Sequence, residues 1–420
     1  MPNDEAFFGA GRPFSARRSS PWGGAVQRPF FRPIDRDLVA DVVVIGAGLS
    51  GALLAEHLTA QGRSVCVIDA PQRGLSGTAS STALLRWEHE KPLLELESIL
   101  GFDKAASLYR RSISALTGLT ELIAGHDIPC AFVPRRSLYL ADHREDAAEI
   151  LVEYDLRQRA GLPSLHLSRP DLLEQFGLDR PAAILSPGAA EVDPLILERS
   201  LLSLAQVGGA RLVEAAASGI TSSGGRVTIE TTASHAIEAS QVVLATGHTA
   251  PGIALPSVHF IRSSWAIATA PQAPEAIWAE RALLWDAFDF DPLFYARTTS
   301  DGRIIIGGME EEIDGGAEAL QDLKTPMKTA ALRERLARLT PAANLAMEQA
   351  WCGSYGATED GLPLIGPVPD LPGVFAAFGF GCNGIALSFM ASRIINAQLA
   401  GSHRDWFADF ALDRDIPRGL

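Results

Sequence analysis

A glycine-rich segment, Gly46-Ala47-Gly48-Leu49-Ser50-Gly51, follows an apolar run and opens a stretch with helical leucine spacing. Gly46 permits a tight turn, Gly48 lets the backbone approach a diphosphate, and Gly51 lets helix and strand pack closely. The N-terminus of such a helix offers free N–H groups and the positive end of a dipole to that anion. Asp69 ends the next apolar run, where it can accept hydrogen bonds from ribose hydroxyls. The pattern predicts a dinucleotide site, and the charge of Asp69 disfavours a 2′-phosphate.

Two more side chains with useful chemistry lie at strand spacing. Tyr295 and Arg297 alternate with apolar neighbours, so a strand would turn both to one face. If that face meets the cofactor, the two side chains could bind a polar group of a substrate. A solvated hairpin face is the alternative interpretation.

The chain shows no pattern typical of a metal site. Its four cysteines, at positions 66, 130, 352 and 382, form no CxxC pair. The acidic run Glu310, Glu311, Glu312 and Asp314 has the composition of a solvated loop. We therefore predict no metal and no disulfide framework.

The elements that must position these groups begin with one βαβ unit. Apolar runs at 42–45 and 65–68 enclose the glycine-rich turn and its helix. Helical spacing predicts further helices near 109–123, 145–157, 193–205, 327–339 and 385–399. Strand patterns lie at 136–140, 210–214, 227–231, 242–245, 293–298 and 303–306. The alternation indicates a mixed α/β chain.

Composition narrows the class of protein. The chain has 420 residues, with 50 acidic and 36 basic side chains and a formal net charge of -14. Such a surface repels phosphate backbones, so nucleic acid is not an expected partner. The most apolar stretch, 42–58, is broken by glycines and a glutamate, so no integral membrane span is predicted. Without a signal-peptide pattern, we expect a cytoplasmic protein whose first 37 residues, rich in Pro, Gly and Arg, form an extended arm.

Further segments, in a fixed order, resemble one enzyme family. They are Gly77–Thr82 after the βαβ unit, Val192-Asp193-Pro194, a strand ending in Ala-Thr-Gly at 245–247, Thr-x-Asp-Gly-x-Pro-x-Ile-Gly at 358–366, and a glycine-rich turn at 381–384. Together they resemble the FAD-dependent D-amino-acid oxidase superfamily, the group that contains glycine oxidase, sarcosine oxidase and gamma-glutamylputrescine oxidase. The resemblance covers most of the chain after residue 37. It implies an α/β fold like that of p-hydroxybenzoate hydroxylase, with a Rossmann-like, GR2-type FAD-binding domain and an antiparallel β-sheet α+β substrate domain.

The resemblance also implies where FAD would bind. The backbone near Ala217 would meet the adenine, and Ser81 and Thr82 would lie near the flavin. The turn at 381–384 would lie at the pyrimidine edge, where a helix N-terminus stabilises the negative charge of a reduced flavin. The alternatives are a plain turn before a strand at 358–366 and a helix-entry loop at 381–384. The expected cofactor-binding residues are Gly46, Gly48, Leu49, Ser50, Gly51, Asp69, Ser81, Thr82, Ala217, Thr246, Gly247, Asp360, Gly361, Gly381, Cys382, Asn383, Gly384 and Ile385.

For the substrate, the resemblance singles out Arg86. It matches the position where sarcosine-oxidase-like members place an arginine against the substrate carboxylate, and a guanidinium suits that bidentate contact. The alternative is a surface arginine paired with Glu88 or Glu90. Members of the family move a hydride from a carbon bearing an amine to the flavin, giving an imine that water hydrolyses. The expected substrate-site residues are Arg86, Tyr295 and Arg297.

The sequence departs from the sarcosine oxidases at several positions. Isoleucines at 304–306 stand where those enzymes carry a lysine in a flavin-facing strand, and Ala386 replaces a second lysine. Gly353, one residue after Cys352, fills the place of the cysteine that some members link to FAD. We therefore expect non-covalent FAD, and either O2 or a redox partner as the electron acceptor.

The resemblance divides the chain into interrupted domains. An N-terminal arm spans 1–37, an FAD-binding domain takes 38–103, 191–255 and 350–402, a substrate domain takes 104–190 and 256–349, and a tail takes 403–420. Three hypotheses for function stay open. They are FAD-dependent oxidation of an amino acid or amine, FAD-dependent oxidation of a 2-hydroxy acid, and non-catalytic binding of a dinucleotide in support of a partner.

Overall fold

The computed structural model describes residues 20–23, 26–71, 76–249, 253–286, 293–313 and 318–415. Within these ranges the strands are β1 (Arg32–Pro33), β2 (Leu38–Ile45), β3 (Val65–Asp69), β4 (Leu84–Leu85), β5 (Val133–Leu140), β6 (Leu165–Ser168), β7 (Ala182–Glu191), β8 (Arg211–Glu214), β9 (Ala217–Ser223), β10 (Arg226–Thr231), β11 (Ala236–Leu244), β12 (His259–Thr269), β13 (Leu283–Asp286), β14 (Phe294–Thr298), β15 (Ile304–Glu312), β16 (Met347–Thr358), β17 (Leu364–Pro367) and β18 (Val374–Phe378). The α-helices are α1 (Leu49–Ala60), α2 (Gly77–Ser80), α3 (Leu93–Leu100), α4 (Phe102–Gly125), α5 (Asp146–Arg159), α6 (Arg169–Phe176), α7 (Pro194–Val207), α8 (Glu318–Leu339) and α9 (Gly384–Leu399).

The first sheet has the order β1-β8-β3-β2-β11-β10-β9, with β18 beside β11 and β17 beside β18. The pairs β2–β3, β3–β8, β2–β11 and β11–β18 are parallel. Residues 42–45 and 65–68 are buried throughout, as continuous apolar runs are when both faces of a parallel sheet are covered. The carboxyl ends of β2, β3 and β11 therefore meet at one edge, where α1 begins.

The second sheet has the order β16-β12-β15-β14-β13-β5-β7-β4, with β6 beside β7. Its pairs are antiparallel except for β5 with β13, which run parallel. A core of apolar side chains from β12, β14 and β15 lies between this sheet and α8. The mixed α/β architecture and the two-sheet division match the fold expected from the sequence.

Two of the expected domain boundaries do not coincide with the packing of the elements, and one strand was not predicted from the sequence. Strand β16 begins at Met347 and pairs with β12, so a border at residue 350 cuts through the second sheet. Helix α4 packs on α9 and shares its apolar core with α1, although the sequence grouped residues 104–125 with the substrate segments. Strand β9 was not predicted, because its small and polar residues show no clear apolar period.

The described part of the N-terminal arm is packed against the protein, contrary to the sequence expectation of an extended arm. Strand β1 joins the edge of the first sheet beside β8. The Trp22 indole donates a hydrogen bond to the Ser81 carbonyl, and the Gly23 N–H donates to Asp193. Residues 1–19 lie outside the described ranges. Across the described ranges, no helix is both long and apolar enough to cross a membrane.

Candidate active site

A cavity of about 740 Å³ lies where the two sheets meet. One end is lined by the β2–α1 turn, Asp69 and Ala217, and the other by residues of β12, β14, β15 and β16. The N-terminus of α9 contributes Gly384 and Ile385 to the wall. An elongated cavity that begins at a fingerprint turn and ends on a second sheet has the shape required by an extended dinucleotide.

Backbone crowding explains the first and last glycines of the fingerprint. Gly46 has a φ of +103°, and a Cβ there would lie 2.4 Å from the Ala245 carbonyl oxygen. A Cβ on Gly51 would lie 1.8 Å from the Gly46 carbonyl oxygen. Gly46, Gly48, Leu49 and Ser50 line the cavity, whereas Gly51 is not among the described residues of its wall. Gly51 therefore acts by letting α1 pack on the turn.

Asp69 lies at the end of β3, where the fingerprint predicts it. One carboxylate oxygen accepts a hydrogen bond from the Ala47 N–H at 3.2 Å, and the other is 2.5 Å from Arg28 Nη2. Sequence reasoning missed Arg28, because the segment that carries it was expected to be an extended arm. The ion pair places a cation of the N-terminal segment beside Asp69, the predicted ribose ligand.

The loop between α2 and β4 is held at each backbone carbonyl from Ser80 to Ala83. Trp351 donates to Ser80, Trp22 donates to Ser81, and Arg297 Nη1 lies 3.4 Å from the Thr82 oxygen and 2.8 Å from the Ala83 oxygen. Ala83 has a φ of +55°, in the left-handed region that alanine rarely adopts. These contacts fix the segment that was predicted to lie near the flavin, and Ser81 and Thr82 line the cavity.

The position of Arg297 corrects the prediction that it shares a substrate-binding face with Tyr295. The Arg297 guanidinium is buried and donates to backbone carbonyls, with Glu191 at 3.5 Å. Burial lowers its pKa to about 10. Tyr295 lines the cavity, and its hydroxyl lies 2.7 Å from the Ser264 hydroxyl. Arg297 is therefore a group that positions the loop, whereas Tyr295 faces the cavity.

Arg86 is a buried wall residue of the cavity. Its side chain is 3% exposed, its guanidinium lies over the Trp285 ring at 4.0 Å, and Nη2 is 3.4 Å from Cys382 Sγ. Among the described residues, Arg86 Nη1 has no hydrogen-bond partner. The alternative of a surface arginine paired with Glu88 or Glu90 is wrong, because Arg86 is buried. Glu88 accepts a hydrogen bond from Ser137, and Glu90 accepts one from Arg262. A buried, incompletely satisfied guanidinium can bind an anion that enters the cavity.

Glu310 corrects the prediction of a solvated acidic loop. Strand β15 continues through Gly307 and Gly308 to Glu312, and Glu310 lines the cavity with its side chain 8% exposed. Burial, and then the charge of Glu90, raise the pKa of Glu310 to about 8. Asp314, the last member of the acidic run, lies outside the described residues.

The glycine pair is the signal that could have located Glu310. Gly308 has a φ of +130°, and a Cβ on Gly307 would lie 2.3 Å from the Tyr295 ring. Glycines inside a strand often mark a bulge or a close approach, not the end of the strand. The β12–β15 register does shift at this point.

Several predicted cofactor residues have other partners. Asp360 is paired with Arg414 through both carboxylate oxygens, at 2.8 and 2.9 Å. Gly361 lies beside Lys91, and the Asn383 amide donates to the Glu88 carbonyl. Asp360, Gly361 and Asn383 are not among the described residues of the cavity wall. The predicted residues found in the wall are Gly46, Gly48, Leu49, Ser50, Asp69, Ser81, Thr82, Ala217, Thr246, Gly247, Gly381, Cys382, Gly384 and Ile385.

The positions at which the sequence departs from the sarcosine oxidases include strands β15 and β16 of the second sheet. The isoleucines at 304–306 are fully buried and do not appear in the described cavity wall, where Ser264 and Ala266 of β12 lie instead. Gly353 lines the cavity against the Ser80 side chain, whereas Cys352 is buried in the core of the second sheet. Alternation along β16 therefore turns the Cys352 thiol away from the cavity.

A family model described as FAD dependent oxidoreductase (DAO) matches residues 41–398. Glycine oxidase of Geobacillus kaustophilus is 25% identical over 400 residues, which cover 90% of this chain and 97% of that protein. The Bacillus subtilis protein YhfW, described as a Rieske 2Fe-2S iron-sulfur protein, is 25% identical over 225 residues, or 53% of this chain and 43% of YhfW.

The fold comparison agrees with the family model. The crystal structure of glycine oxidase from Geobacillus kaustophilus superposes with a TM-score of 0.73 at 22% identity, covering 90% of this chain and all of that one. The matched residues include the fingerprint turn, the strands from β3 to β18, and α9 as far as residue 398. The chain belongs to the FAD dependent oxidoreductase (DAO) family.

Proposed function

We propose that the protein oxidises the carbon–nitrogen bond of an amino acid, or of an amine that carries a carboxylate, with FAD as the oxidant. The observation that carries this proposal is Arg86, a guanidinium 3% exposed whose Nη1 has no hydrogen-bond partner among the described residues and which lines the cavity. A buried donor of this kind is costly unless a ligand accepts its hydrogen bond. A substrate carboxylate is the group that fits it best.

The cavity suits FAD along its length. Gly46 and Gly48 at the start of α1 would hold the diphosphate, Asp69 the ribose, and Ala217 the adenine, while Ser81 and Thr82 would face the flavin. The crowding at Gly46 supports this assignment, because a side chain there would collide with Ala245. FAD would be bound non-covalently, since Cys352 is packed in the core.

Bound FAD would supply the two-electron oxidation by accepting the hydride of the C–H bond beside the amine. The chain contributes binding and orientation. Arg86, whose guanidinium lies over the Trp285 ring, would hold the carboxylate, and the Tyr295–Ser264 hydroxyl pair would limit the position of the substrate from the β12–β14 side.

The visible spectrum of the purified protein tests the proposal. Flavin absorbance should be present, and acid precipitation should release the flavin to the supernatant. Anaerobic addition of amino acids should bleach it, while matched 2-hydroxy acids should not. Bleaching by hydroxy acids alone would favour oxidation of a C–O bond, and a protein that neither contains nor takes up flavin would exclude both reactions. Reoxidation by O2 or by an artificial acceptor would then identify the class of electron acceptor.

A further inference from the structure

An arginine and a glutamate, each with an unsatisfied polar atom, line the same cavity. Arg86 Nη1 and Glu310 Oε1 both lack a hydrogen-bond partner among the described residues. Both side chains are more than nine-tenths buried, at 3% and 8% exposure. Burying a charge without a partner costs free energy. A site that leaves both side chains incompletely paired is therefore complementary to a ligand that carries a positive and a negative group.

The contacts of Glu310 explain why it is left available. Arg262 Nη1 is 2.6 Å from Glu90 Oε1 but 3.7 Å from Glu310 Oε2. The nearest cation therefore forms its short contact with Glu90. Glu310 interacts with Tyr355 and keeps a longer ion pair to Arg262, while its Oε1 has no hydrogen-bond partner among the described residues.

The electrostatic environment of Glu310 comes from several elements. Burial raises its pKa to about 8, and the charge of Glu90 adds to this shift, while a hydrogen bond with Tyr355 and the charges of Arg262 and Arg86 oppose it. A carboxyl with this pKa is far better matched to an amine than an ordinary glutamate, whose pKa is about 4.3. The titratable or charged groups whose ionisation is coupled to Glu310 are Glu90, Arg262, Arg86, Tyr355, Tyr295 and Cys382.

We propose that Glu310 binds the ammonium group of the substrate and takes up one of its protons, while Arg86 holds the carboxylate. This inference rests on the proposed function and narrows its substrates to amino acids that enter as zwitterions. In the transfer, an N–H bond of the ammonium breaks and an O–H bond forms on Glu310. The electron pair of the N–H bond remains on nitrogen, which leaves the amine neutral before the C–H bond is broken.

The pH profile of kcat/KM for an amino acid that reduces the wild-type flavin tests this role. The wild-type profile should rise through about pH 8 as Glu310 ionises and fall above the pKa of the substrate ammonium. In Glu310→Gln, the rise near pH 8 should disappear, and the rate should follow the fraction of neutral amine in solution. KM at pH 8 should increase about tenfold or more, as expected for a lost hydrogen bond to a charged group.

A binding measurement separates this role from a purely structural one. Propionate, a carboxylate without an amine, is titrated by calorimetry into the holoenzyme between pH 6 and pH 10. Wild-type affinity should fall above pH 8, because ionised Glu310 repels the ligand, whereas Glu310→Gln should bind with little change over that range. Glu311→Gln is the matched control, since Glu311 is the next residue of β15 and pairs with Lys324 and Lys328 of α8.

Two results would overturn the inference. One is a Glu310→Gln profile that keeps its rise near pH 8 with KM within twofold of wild type. The other is a propionate affinity with the same pH dependence in both proteins. Either result, obtained while amino acids still bleach the wild-type flavin, would sink the role of Glu310 and leave the proposed function standing. Failure of every amino acid to reduce the wild-type flavin would remove both.

Discussion

Burial of the Arg86 guanidinium has a free-energy cost that its protein contacts offset only in part. Its face lies over the Trp285 ring and Nη2 contacts Cys382 Sγ, a weak acceptor. Nη1 has no partner in the described residues. A ligand carboxylate would restore that missing hydrogen bond, which is why we treat Arg86 as a binding group and not as a core residue.

Removal of the guanidinium should therefore act on carboxylate substrates selectively. Arg86→Ala should lower kcat/KM for an amino acid by about 10- to 100-fold, the effect of losing a charged hydrogen bond of about 1.5–3 kcal/mol. Steady-state kinetics on an amino acid and on the matching amine without a carboxylate provide the comparison. An equal loss on both substrates, or no change on either, would contradict the assignment.

Gly51 offers a test of the fingerprint turn that does not depend on turnover. An alanine Cβ at this position would lie 1.8 Å from the Gly46 carbonyl oxygen, so the turn or α1 must shift. Gly51→Ala should weaken FAD binding by at least about tenfold or prevent folding, as judged by flavin fluorescence and circular dichroism. Gly125→Ala is the control, because a Cβ there meets nothing within 4 Å and the site is exposed on α4. Equal FAD affinity in the two variants would argue against the crowding.

At the scale of elements, the loop from Ser80 to Ala83 links the two sheets. Its carbonyls are bound by side chains from β14, β16 and the N-terminal segment, and Ala83 holds a left-handed conformation. Such a conformation persists only where surrounding contacts hold it. The N-terminal segment is therefore part of the structure that shapes the cavity.

Arg297 should behave as a positioning group for this loop. Arg297→Met removes four hydrogen bonds to backbone carbonyls and one cation near Glu191, so we expect a destabilisation of about 3–5 kcal/mol together with weaker FAD binding. Thermal unfolding and the dissociation constant of FAD are the measurements. Its KM for substrate in the FAD-saturated enzyme should stay close to wild type. A large rise in KM with unchanged stability would instead restore the sequence-based prediction of a substrate ligand.

At the scale of the whole molecule, buried histidines and buried glutamates change the stability of the protein with pH in opposite directions. Burial lowers the pKa of His57 to about 4 and that of His89 to about 3. The free energy of unfolding therefore decreases as pH falls below 6.5. Burial raises the pKa of Glu198 to about 7 and that of Glu310 to about 8. The contribution of these two groups to the free energy of unfolding is therefore fully present below pH 4.5, and it is lost as pH rises through the two pKa values. Between pH 4.5 and 6.5 the two effects partly cancel.

A difference measurement isolates His89, whose Nε2 lies 2.8 Å from the Ser112 hydroxyl. Glutamine can keep a hydrogen bond there but does not titrate. As pH falls from 6.5 to 4.5, His89→Gln should gain stability relative to wild type by about 1.4 kcal/mol per pH unit. Urea unfolding at several pH values measures this difference. A difference that is constant with pH would show that His89 is not buried as a neutral base.

The sequence alone predicted the local features of this protein. The fingerprint turn, α1 and the parallel strands around it follow from steric demands and from side-chain periodicity within a few dozen residues. The order of further motifs was enough to identify the family and the FAD-type fold, which the family match confirms. Tyr295 and most of the predicted cofactor residues lie in the cavity wall for the same reason, since each is close to a turn or strand end that the sequence marks.

Only the tertiary structure decided which charged side chains face the cavity. Asp360 is bound to Arg414, 54 residues away, and Arg297 binds carbonyls more than 100 residues away, so neither partner is visible in local sequence. Glu310 enters the wall because a bulge extends β15 beyond a glycine pair that looked like its end. Periodicity determines the face of an element, but the burial of a charge depends on which elements pack against that face, and that is a property of the assembled fold.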